Sequence, residues 1–214
     1  RDLHSFPTRR SSDLDCVFGD NWRGAYEGAE SLMEAGHKKI AVVRGIGGTK
    51  EERERFRGFL QAMEDHGLEV PKEYVIQDGE CAEKISRAIG GLLEGDMPPT
   101  AVFALDGCGT AGCMRCLGER GLIVGEDVGF MGFDDQEIFE QLGFRLSVVE
   151  RDALEQGKET MRLLQERFDE KDGERRRGKR VMVPCRLILR GSASMKTVTE
   201  SARKRRLAGK KEGK

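Results

Sequence analysis

Short apolar runs and longer amphipathic stretches alternate along most of the chain. The apolar runs are three to six residues long, which is typical of buried strands. They predict strands over Ile40–Val43, Tyr74–Ile76, Ala101–Leu105, Val128–Phe133, Leu146–Val149, Val181–Val183 and Arg186–Leu189, and they make Val17–Phe18 the end of an earlier strand. The stretches between the runs place apolar residues at three- and four-residue steps, as in Phe56, Phe59, Leu60 and Met63. They predict helices over Arg23–Ala35, Glu51–His66, Ala82–Leu93, Thr110–Arg120 and Leu154–Phe168.

This alternation predicts an α/β fold. Strands joined by helices of ten or more residues form a parallel sheet with helices on both faces, which is a three-layer architecture. In such sheets, small molecules bind beyond the carboxyl ends of the strands. Polar residues that directly follow the apolar runs are therefore the first candidates for a binding site.

Both ends of the chain depart from this pattern. Residues 1–14, RDLHSFPTRRSSDL, match the translation of a common short-read sequencing adapter in one frame, so we expect the natural protein sequence to start near Asp15. After Ser192 the chain loses its apolar content, and residues 193–214 are expected to form a disordered basic tail.

Charge is distributed unevenly along the chain. The formal net charge is −1, but residues 1–14 carry +1 and residues 201–214 carry +6, so the body between residues 15 and 200 carries −8. An acidic body repels phosphate backbones, which argues against DNA binding by the folded part. No apolar run approaches the roughly 20 residues that a membrane helix needs, so no membrane contact is expected.

The six cysteines and three histidines form no metal or catalytic pattern. Cys108, Cys113 and Cys116 have a spacing found in some iron–sulfur proteins, but Cys113 and Cys116 share one helix face, where free cysteines pack as small apolar residues. We therefore expect no metal, no cofactor and a reduced, cytoplasmic protein. An enzyme is not expected, because no nucleophile lies in a known motif and Gly45–Gly48 lacks a complete phosphate-binding pattern.

Five segments, taken in order, resemble the LacI/GalR family of bacterial transcription regulators. They are DNWRGAYEGAESLMEAGHKKIAVVRG from Asp20 to Gly45, ERFRGFLQAMEDHGLEV from Glu54 to Val70, PTAVFALD from Pro99 to Asp106, GLIVGEDVGFMGFDD from Gly121 to Asp135, and VPCRLILRGS from Val183 to Ser192. Each motif alone is weak, but their order and spacing over Asp15–Ser192 make the resemblance specific.

The resemblance implies a two-lobed effector-binding domain, like that of periplasmic sugar receptors, behind an N-terminal helix-turn-helix head. The head and most of the first lobe have no counterpart in this chain. Residues 15–38, with the helix Gly24–Ala35, and residues 150–170, with the helix Leu154–Phe168, would be remnants of the first lobe. Residues 39–149 and 180–192 would form the second lobe.

The resemblance also marks residues for an effector site. Arg55 lies three residues before Gly58-Phe59, where the family has an arginine that faces the cleft, and its guanidinium suits two vicinal hydroxyls or a carboxylate. Asp134 follows an apolar strand, and its carboxylate suits sugar hydroxyls or the N–H groups of a base. Capping of a helix or turn is the alternative role for Asp134, and Asp135 is expected to be structural.

Three further positions are candidates by resemblance. Asp106 ends a strand, although the segment Leu-Asp-Gly-Cys-Gly departs from the Asn-Asp pattern that the family often has here. Thr49 and Glu80 correspond to cleft positions that vary among members with different ligands, and Glu80 stands where several members place a stacking aromatic. Asn21 fits either a turn residue or a cleft donor, and the turn is favoured.

These features predict a ligand-sensing domain that binds a small molecule, with a carbohydrate as the leading candidate. In the intact protein, the resemblance implies a homodimer that contacts operator DNA through the missing head. The alternative is a periplasmic or lipoprotein sugar-binding receptor with the same lobes. The upstream coding sequence discriminates between them, because a helix-turn-helix would support the regulator and a signal peptide would support the receptor.

Overall fold

The structure is a computed structural model, and it describes residues 14–45, 49–77, 81–169 and 177–194. The chain divides into two compact units. Unit 1 contains the chain up to Asp20 together with Arg151–Cys185, and unit 2 contains Asn21–Glu150 together with the chain from Arg186 onward. The adapter-like residues 1–13, Glu80 and the basic tail from residue 195 onward lie outside the described residues.

The described residues form eight strands and six helices. The strands are β1 (Cys16–Gly19), β2 (Ile40–Val43), β3 (Val75–Ile76), β4 (Ala101–Ala104), β5 (Gly129–Phe133), β6 (Ser147–Arg151), β7 (Arg180–Val183) and β8 (Cys185–Ile188). The helices are α1 (Asn21–Glu34), α2 (Lys50–Asp65), α3 (Ala82–Glu94), α4 (Gly107–Arg120), α5 (Glu137–Gln141) and α6 (Ala153–Phe168), and a single 3-10 turn spans Lys72–Tyr74. No helix in these ranges is long and apolar enough to cross a membrane.

A six-stranded sheet in the order β3-β2-β4-β5-β6-β8 forms the centre of unit 2. The pairs from β3 to β6 are parallel, with Val43 opposite Ala104 and Met131 opposite Ser147. The central strands β2, β4 and β5 are buried along their whole length, which explains why they read as continuous apolar runs. The predicted α/β fold, with a mostly parallel sheet flanked by helices, is confirmed.

Helices cover both faces of the unit 2 sheet. On one face, Ile89 of α3 and Leu117 of α4 pack with Phe130 in the main cluster of buried side chains. On the other face, Phe59 of α2 meets Phe103 of β4 edge to face, with 6.2 Å between the ring centroids. Alternate residues of each central strand thus point to opposite layers, as the period of a strand requires.

The helix α1 packs inside unit 2, whereas the sequence placed Gly24–Ala35 among the remnants of the first lobe. Gly28 seats α1 on the sheet, because a Cβ there would lie 2.7 Å from Val149 and 2.9 Å from Phe103. Gly58 of α2 brings the two helices together, because a Cβ there would overlap the Trp22 carbonyl. Helical periodicity shows that α1 has an apolar face, but it does not show which sheet that face covers.

Unit 1 contains α6 and a two-stranded parallel sheet of β1 and β7. Val17 lies opposite Val181, and Asp15 accepts a hydrogen bond of 2.6 Å from the Arg167 side chain of α6. The strand β7 thus lies in unit 1 together with α6, whereas the sequence grouped residues 180–192 with the second lobe. A short apolar run predicts a strand, but its own pattern does not specify the partner strand.

The helix α6 carries an exposed apolar face within unit 1. Leu154 is 71% exposed and Phe168 is 79% exposed, and Met161 and Leu164 are exposed as well. Leu163 is the buried residue of this helix. The exposed side chains line a groove along one side of α6, and they leave an amphipathic helix with most of its apolar surface in contact with solvent.

We expect this face of α6 to bind an environment-sensitive dye. The double substitution Met161→Lys with Phe168→Lys should lower dye fluorescence and leave the melting temperature nearly unchanged, because exposed side chains contribute little burial. The matched control is Leu163→Ala, which should cost about 2–5 kcal/mol of folding stability because it opens a cavity. Dye titration and thermal unfolding measure the two effects, and undiminished fluorescence in the double variant would locate the dye elsewhere.

His37 gives the fold a predicted dependence on pH. It lies at the amino-terminal edge of the unit 2 sheet, where it is 2% exposed and its Nδ1 is 3.0 Å from the Thr100 hydroxyl. Burial lowers the pKa of His37, and the Ala193 carbonyl opposes the shift only in part. The neutral ring therefore stabilises the fold fully above the pKa of an unfolded histidine, about 6.5, and this stability is lost as the pH falls toward the folded pKa.

The substitution His37→Gln should reduce the fall in the free energy of unfolding between pH 7.5 and pH 5.5. Denaturant unfolding at several pH values measures this slope. Equal slopes for wild type and His37→Gln would show that His37 is not the source of the pH dependence.

Candidate functional site

A cluster of polar side chains in unit 2 lies at the carboxyl edge of its sheet. Arg55 reaches this edge from α2, Asp134 follows β5, and Asn21 begins α1. This is the edge at which parallel sheets bind small molecules. The structure thus brings together Arg55 and Asp134, the two residues that the sequence places first.

Arg55 is held on several sides. It is 5% exposed, its Nε donates to Asn21 Oδ1 at 2.9 Å, and its Nη1 donates to the Leu105 carbonyl at 2.7 Å. Its Nη2 is 3.5 Å from Asp134 Oδ2, and the guanidinium carbon lies 3.8 Å from the centroid of the Phe133 ring. A charge buried this deeply needs such partners, and they fix the orientation of the guanidinium before any ligand arrives.

The local sequence explains how Arg55 meets Asn21. Gly58 stands one turn after Arg55 on the same face of α2, and its missing side chain lets the Trp22 backbone approach. The first turn of α1 therefore lies directly beside Arg55. Asn21 is buried as a result, and its amide oxygen accepts the Nε hydrogen bond. Asn21 is thus a contact of the cluster, where the sequence favoured a simple turn residue.

Asp134 has a backbone conformation that is unusual for a residue with a side chain. Its φ is 68°, the only positive value at a non-glycine residue in the described ranges, and its N–H donates to the Val149 carbonyl at 2.8 Å. Asp and Asn adopt this region more readily than other residues, yet the conformation still costs energy and is frequent at functional sites. Its side chain is 26% exposed, so the carboxylate reaches solvent beside the buried Arg55.

Asp135, the next residue, has a different role. Its carboxylate pairs with Arg190, and Arg190 also donates to the Leu146 carbonyl at 2.9 Å. The Asp135 hydrogen bond raises the pKa of Arg190. This pair ties the segment after β5 to the segment after β8, which is a structural arrangement.

Asp106 and Thr49 both cap helices in the structure. Asp106 Oδ1 accepts from the Gly109 N–H at 2.7 Å at the start of α4, and its carboxylate also packs against Gly45. Thr49 Oγ1 accepts from the Glu52 N–H at 3.0 Å at the start of α2. Both helices start at the carboxyl edge of the sheet, so both residues lie on the side that carries Arg55.

The sequence-based reasoning missed a second polar pair at this edge. Arg44 follows β2 directly, its Nε donates to Glu52 Oε1 at 2.6 Å, and its guanidinium carbon is 4.2 Å from the Phe56 ring centroid. The Glu52 side chain is 5% exposed, and its second oxygen is buried without a hydrogen-bond partner in the described part of the chain. Two signals could have found the pair: a charged residue directly after an apolar strand, and the Thr-x-x-Glu capping spacing that begins at Thr49.

The arrangement supplies hydrogen-bond donors and acceptors for a polar ligand. Arg55 and Arg44 offer fixed N–H groups, and Asp134 offers a carboxylate that faces solvent. Within the ranges that the structure describes, no group of three or more His, Cys, Asp or Glu residues could hold a metal ion. The geometry of the cluster therefore fits recognition of a small polar molecule.

Comparison with known proteins agrees with this geometry. The model of the periplasmic binding protein-like domain matches residues 29–193. The HTH-type transcriptional regulator DegA of Bacillus subtilis is 32% identical over 181 residues, which are 85% of this chain and 52% of DegA. The chain thus spans about half the length of this curated relative.

Solved structures show the same likeness. A regulatory protein of the LacI family from Chloroflexus aggregans is 27% identical with a TM-score of 0.75, over 86% of this chain and 65% of that one. The transcriptional regulator CelR in complex with cellobiose is 27% identical with a TM-score of 0.72, over 86% of this chain and 55% of that one. These relatives are transcriptional regulators and not enzymes. The chain therefore belongs to the periplasmic binding protein-like domain family, in the form that serves as the effector-binding domain of LacI-family regulators.

Proposed function

We propose that this chain is the ligand-sensing part of a transcription regulator and that it binds a carbohydrate at the carboxyl edge of the unit 2 sheet. The observation that carries the proposal is the buried Arg55, held by Asn21 and the Leu105 carbonyl beside the strained, solvent-facing Asp134. A site of this kind is arranged before the ligand binds, which lowers the entropic cost of binding.

Asp134 and Arg55 divide the recognition of ligand hydroxyls between them. Asp134 can accept hydrogen bonds from two hydroxyls, and the Nη2 group of Arg55 can donate to a hydroxyl oxygen. The 3.5 Å separation between Nη2 and Asp134 Oδ2 is long for a hydrogen bond, so a ligand oxygen can compete for this donor at little cost. Sugar hydroxyls both donate and accept, which matches a paired donor and acceptor.

The relatives support the choice of a sugar. The solved CelR structure contains cellobiose, and it shares 27% of its sequence with this chain across 86% of the chain's length. Thr49, Asp106 and the predicted residue Glu80 would then lie around the ligand, with Thr49 and Asp106 acting through the helix starts that they cap.

The rest of the regulator belongs to the longer protein. We infer that unit 2 is the second lobe and that β1, β7 and α6 belong to the first lobe, the remainder of which would cover the apolar face of α6. The intact protein would be a cytoplasmic homodimer that binds operator DNA through an N-terminal head. Ligand binding would favour one arrangement of the lobes, and it can shift the equilibrium only by its differential affinity for the two arrangements.

A sugar-binding receptor of a transport system is the second candidate, since it would use the same lobes. The likeness to DegA, a transcriptional regulator, favours the first candidate. The genomic sequence upstream of Asp15 separates the two, because a helix-turn-helix supports the regulator and a signal peptide supports the receptor.

Calorimetry on the intact protein tests the site, with cellobiose as the first probe and a panel of mono- and disaccharides after it. The substitution Asp134→Asn should weaken sugar binding about tenfold or more, corresponding to about 1.5–3 kcal/mol for a lost charged hydrogen bond. Asparagine tolerates the positive φ of this position, so the backbone should be preserved. Arg55→Lys should lower both affinity and stability, because lysine has no planar fork.

The control variant is Asp135→Asn, which removes the neighbouring charge but lies in the ion pair with Arg190. It should keep the sugar affinity of the wild type. Wild-type affinity in Asp134→Asn would remove this cluster from the site, and no saturable binding across the whole panel would overturn the choice of a carbohydrate.

A further inference from the structure

Two of the six cysteines lie at the starts of neighbouring helices on one face of the unit 2 sheet. Cys81 is the residue that precedes α3 and is exposed, and Cys108 lies in the first turn of α4 and is partly buried. Cys113 and Cys116 are buried within α4, farther along the same helix. The proposed sugar site uses none of these four thiols.

The packing of α3 against α4 brings Cys81 and Cys108 to the same end of the helix pair. A Cβ at Gly112 of α4 would lie 2.6 Å from the Ile85 side chain and 3.0 Å from the Ala82 carbonyl, so the two helices touch closely there. Cys108 is one turn before Gly112 on the same face of α4 and therefore points toward the start of α3. Ala82, whose carbonyl lies at this contact, is bonded directly to Cys81, so Cys108 and Cys81 lie at the same end of the helix pair.

The two thiols differ in reactivity. The backbone N–H groups of Lys84 and Glu83 lower the pKa of Cys81, which favours its thiolate at the exposed start of α3. Burial raises the pKa of Cys108, and the nearby charges of Asp106 and Cys81 raise it further. An accessible thiolate next to a second, protonated thiol is the arrangement that oxidant-sensing cysteines use.

The other two thiols of α4, Cys113 and Cys116, react poorly with an oxidant compared with Cys81. Burial raises the pKa of Cys113 well above its usual value, and it raises the pKa of Cys116 to about 11. Both therefore stay protonated at neutral pH and out of contact with solvent.

We propose that Cys81 and Cys108 are a modification site, at which hydrogen peroxide converts the two thiols into a reversible disulfide that joins the starts of α3 and α4. In the first step, the Cys81 thiolate attacks one peroxide oxygen, the O–O bond breaks, and Cys81 sulfenic acid and hydroxide form. In the second step, the Cys108 sulfur attacks the Cys81 sulfur, the S–O bond breaks, and water leaves with the Cys108 proton. Both cysteines are oxidised by one electron each, and the peroxide is reduced by two.

The disulfide would act on the edge of the sheet that carries the polar cluster. Cys108 lies two residues after Asp106, whose carboxylate caps α4 through the Gly109 N–H and packs against Gly45. A disulfide requires the two Cα atoms to lie about 4.4–6.8 Å apart, so it fixes the start of α4 against α3. An effect on sugar binding rests on the function proposed above, whereas the thiol chemistry and its effect on α4 do not.

Peptide mass spectrometry on the full chain tests the pairing. The reduced chain is treated with a small molar excess of hydrogen peroxide, free thiols are alkylated, and the digest is examined without reductant. We expect one linked peptide pair that contains Cys81 and Cys108, lighter by two hydrogens than the sum of its parts and separated by dithiothreitol. Cys81→Ser and Cys108→Ser should abolish it, and the matched control Cys16→Ser, at another exposed cysteine, should retain it.

Two further readouts decide the proposal if a variant folds poorly. In Cys108→Ser, Cys81 should accumulate as a sulfenic acid that dimedone traps, and in the wild type, amide exchange over residues 106–112 should slow after oxidation. Linkage of Cys81 to Cys16 or to a second chain, or its conversion straight to sulfinic acid, would overturn the pairing. Identical amide exchange in the reduced and oxidised protein would overturn the effect on α4.

Discussion

The buried guanidinium of Arg55 is the constraint on which the carboxyl edge of unit 2 depends. One side chain from α2 connects the first residue of α1, the backbone after β4 and the aromatic ring that ends β5. Removing a charge of this kind leaves its acceptors buried without donors, and keeping the charge without them costs several kcal/mol. Arg55 and its acceptors are therefore stable only when all of them are in place. This mutual dependence fixes the shape of the surface that a ligand would meet.

Close backbone packing makes the Arg55 arrangement possible. Gly58 and Gly28 let α1 lie against both α2 and the sheet, and the Asn21 side chain arrives beside Arg55 only because α1 is seated there. A larger residue at position 58 would push the Trp22 backbone away and separate Asn21 from Arg55. The glycine in the Arg-x-x-Gly-Phe segment thus acts on the polar cluster from one turn farther along the same face of α2, through the position of the α1 backbone.

The sequence predicted the strands, the helices and their layered packing better than it predicted which unit each element belongs to. The spacing of apolar residues predicted the strands and helices of unit 2, because burial against a sheet determines which positions of each segment are apolar. It could not assign α1 or β7, since the partner of an apolar face depends on residues far away in the chain. At the site, the resemblance singled out Arg55 and Asp134 and left Asn21 open between a turn residue and a cleft donor. The packing of α1 against α2 placed Asn21 beside Arg55. The Arg44–Glu52 pair was missed, although two local signals pointed to it. Asn21 is buried because Gly58 of another helix lets the α1 backbone approach, and nothing in the sequence around Asn21 indicates this burial.

Arg55 and Asp134 lie in one cluster but differ in exposure, and this difference indicates which of them can reach a ligand most directly. Arg55 is almost fully buried and bonded within the protein, so it holds Asp134 and Asn21 in place in addition to offering its Nη2 group to a ligand. Asp134 combines a strained backbone conformation with a carboxylate that is partly in solvent, which is the basis for proposing it as a ligand contact. Arg44 and Glu52, two strands away from Asp134, show the reverse arrangement, in which a buried carboxylate holds a partly exposed guanidinium. Ligand preference at this edge should therefore depend more on Asp134 and Arg44 than on the two buried residues that hold them.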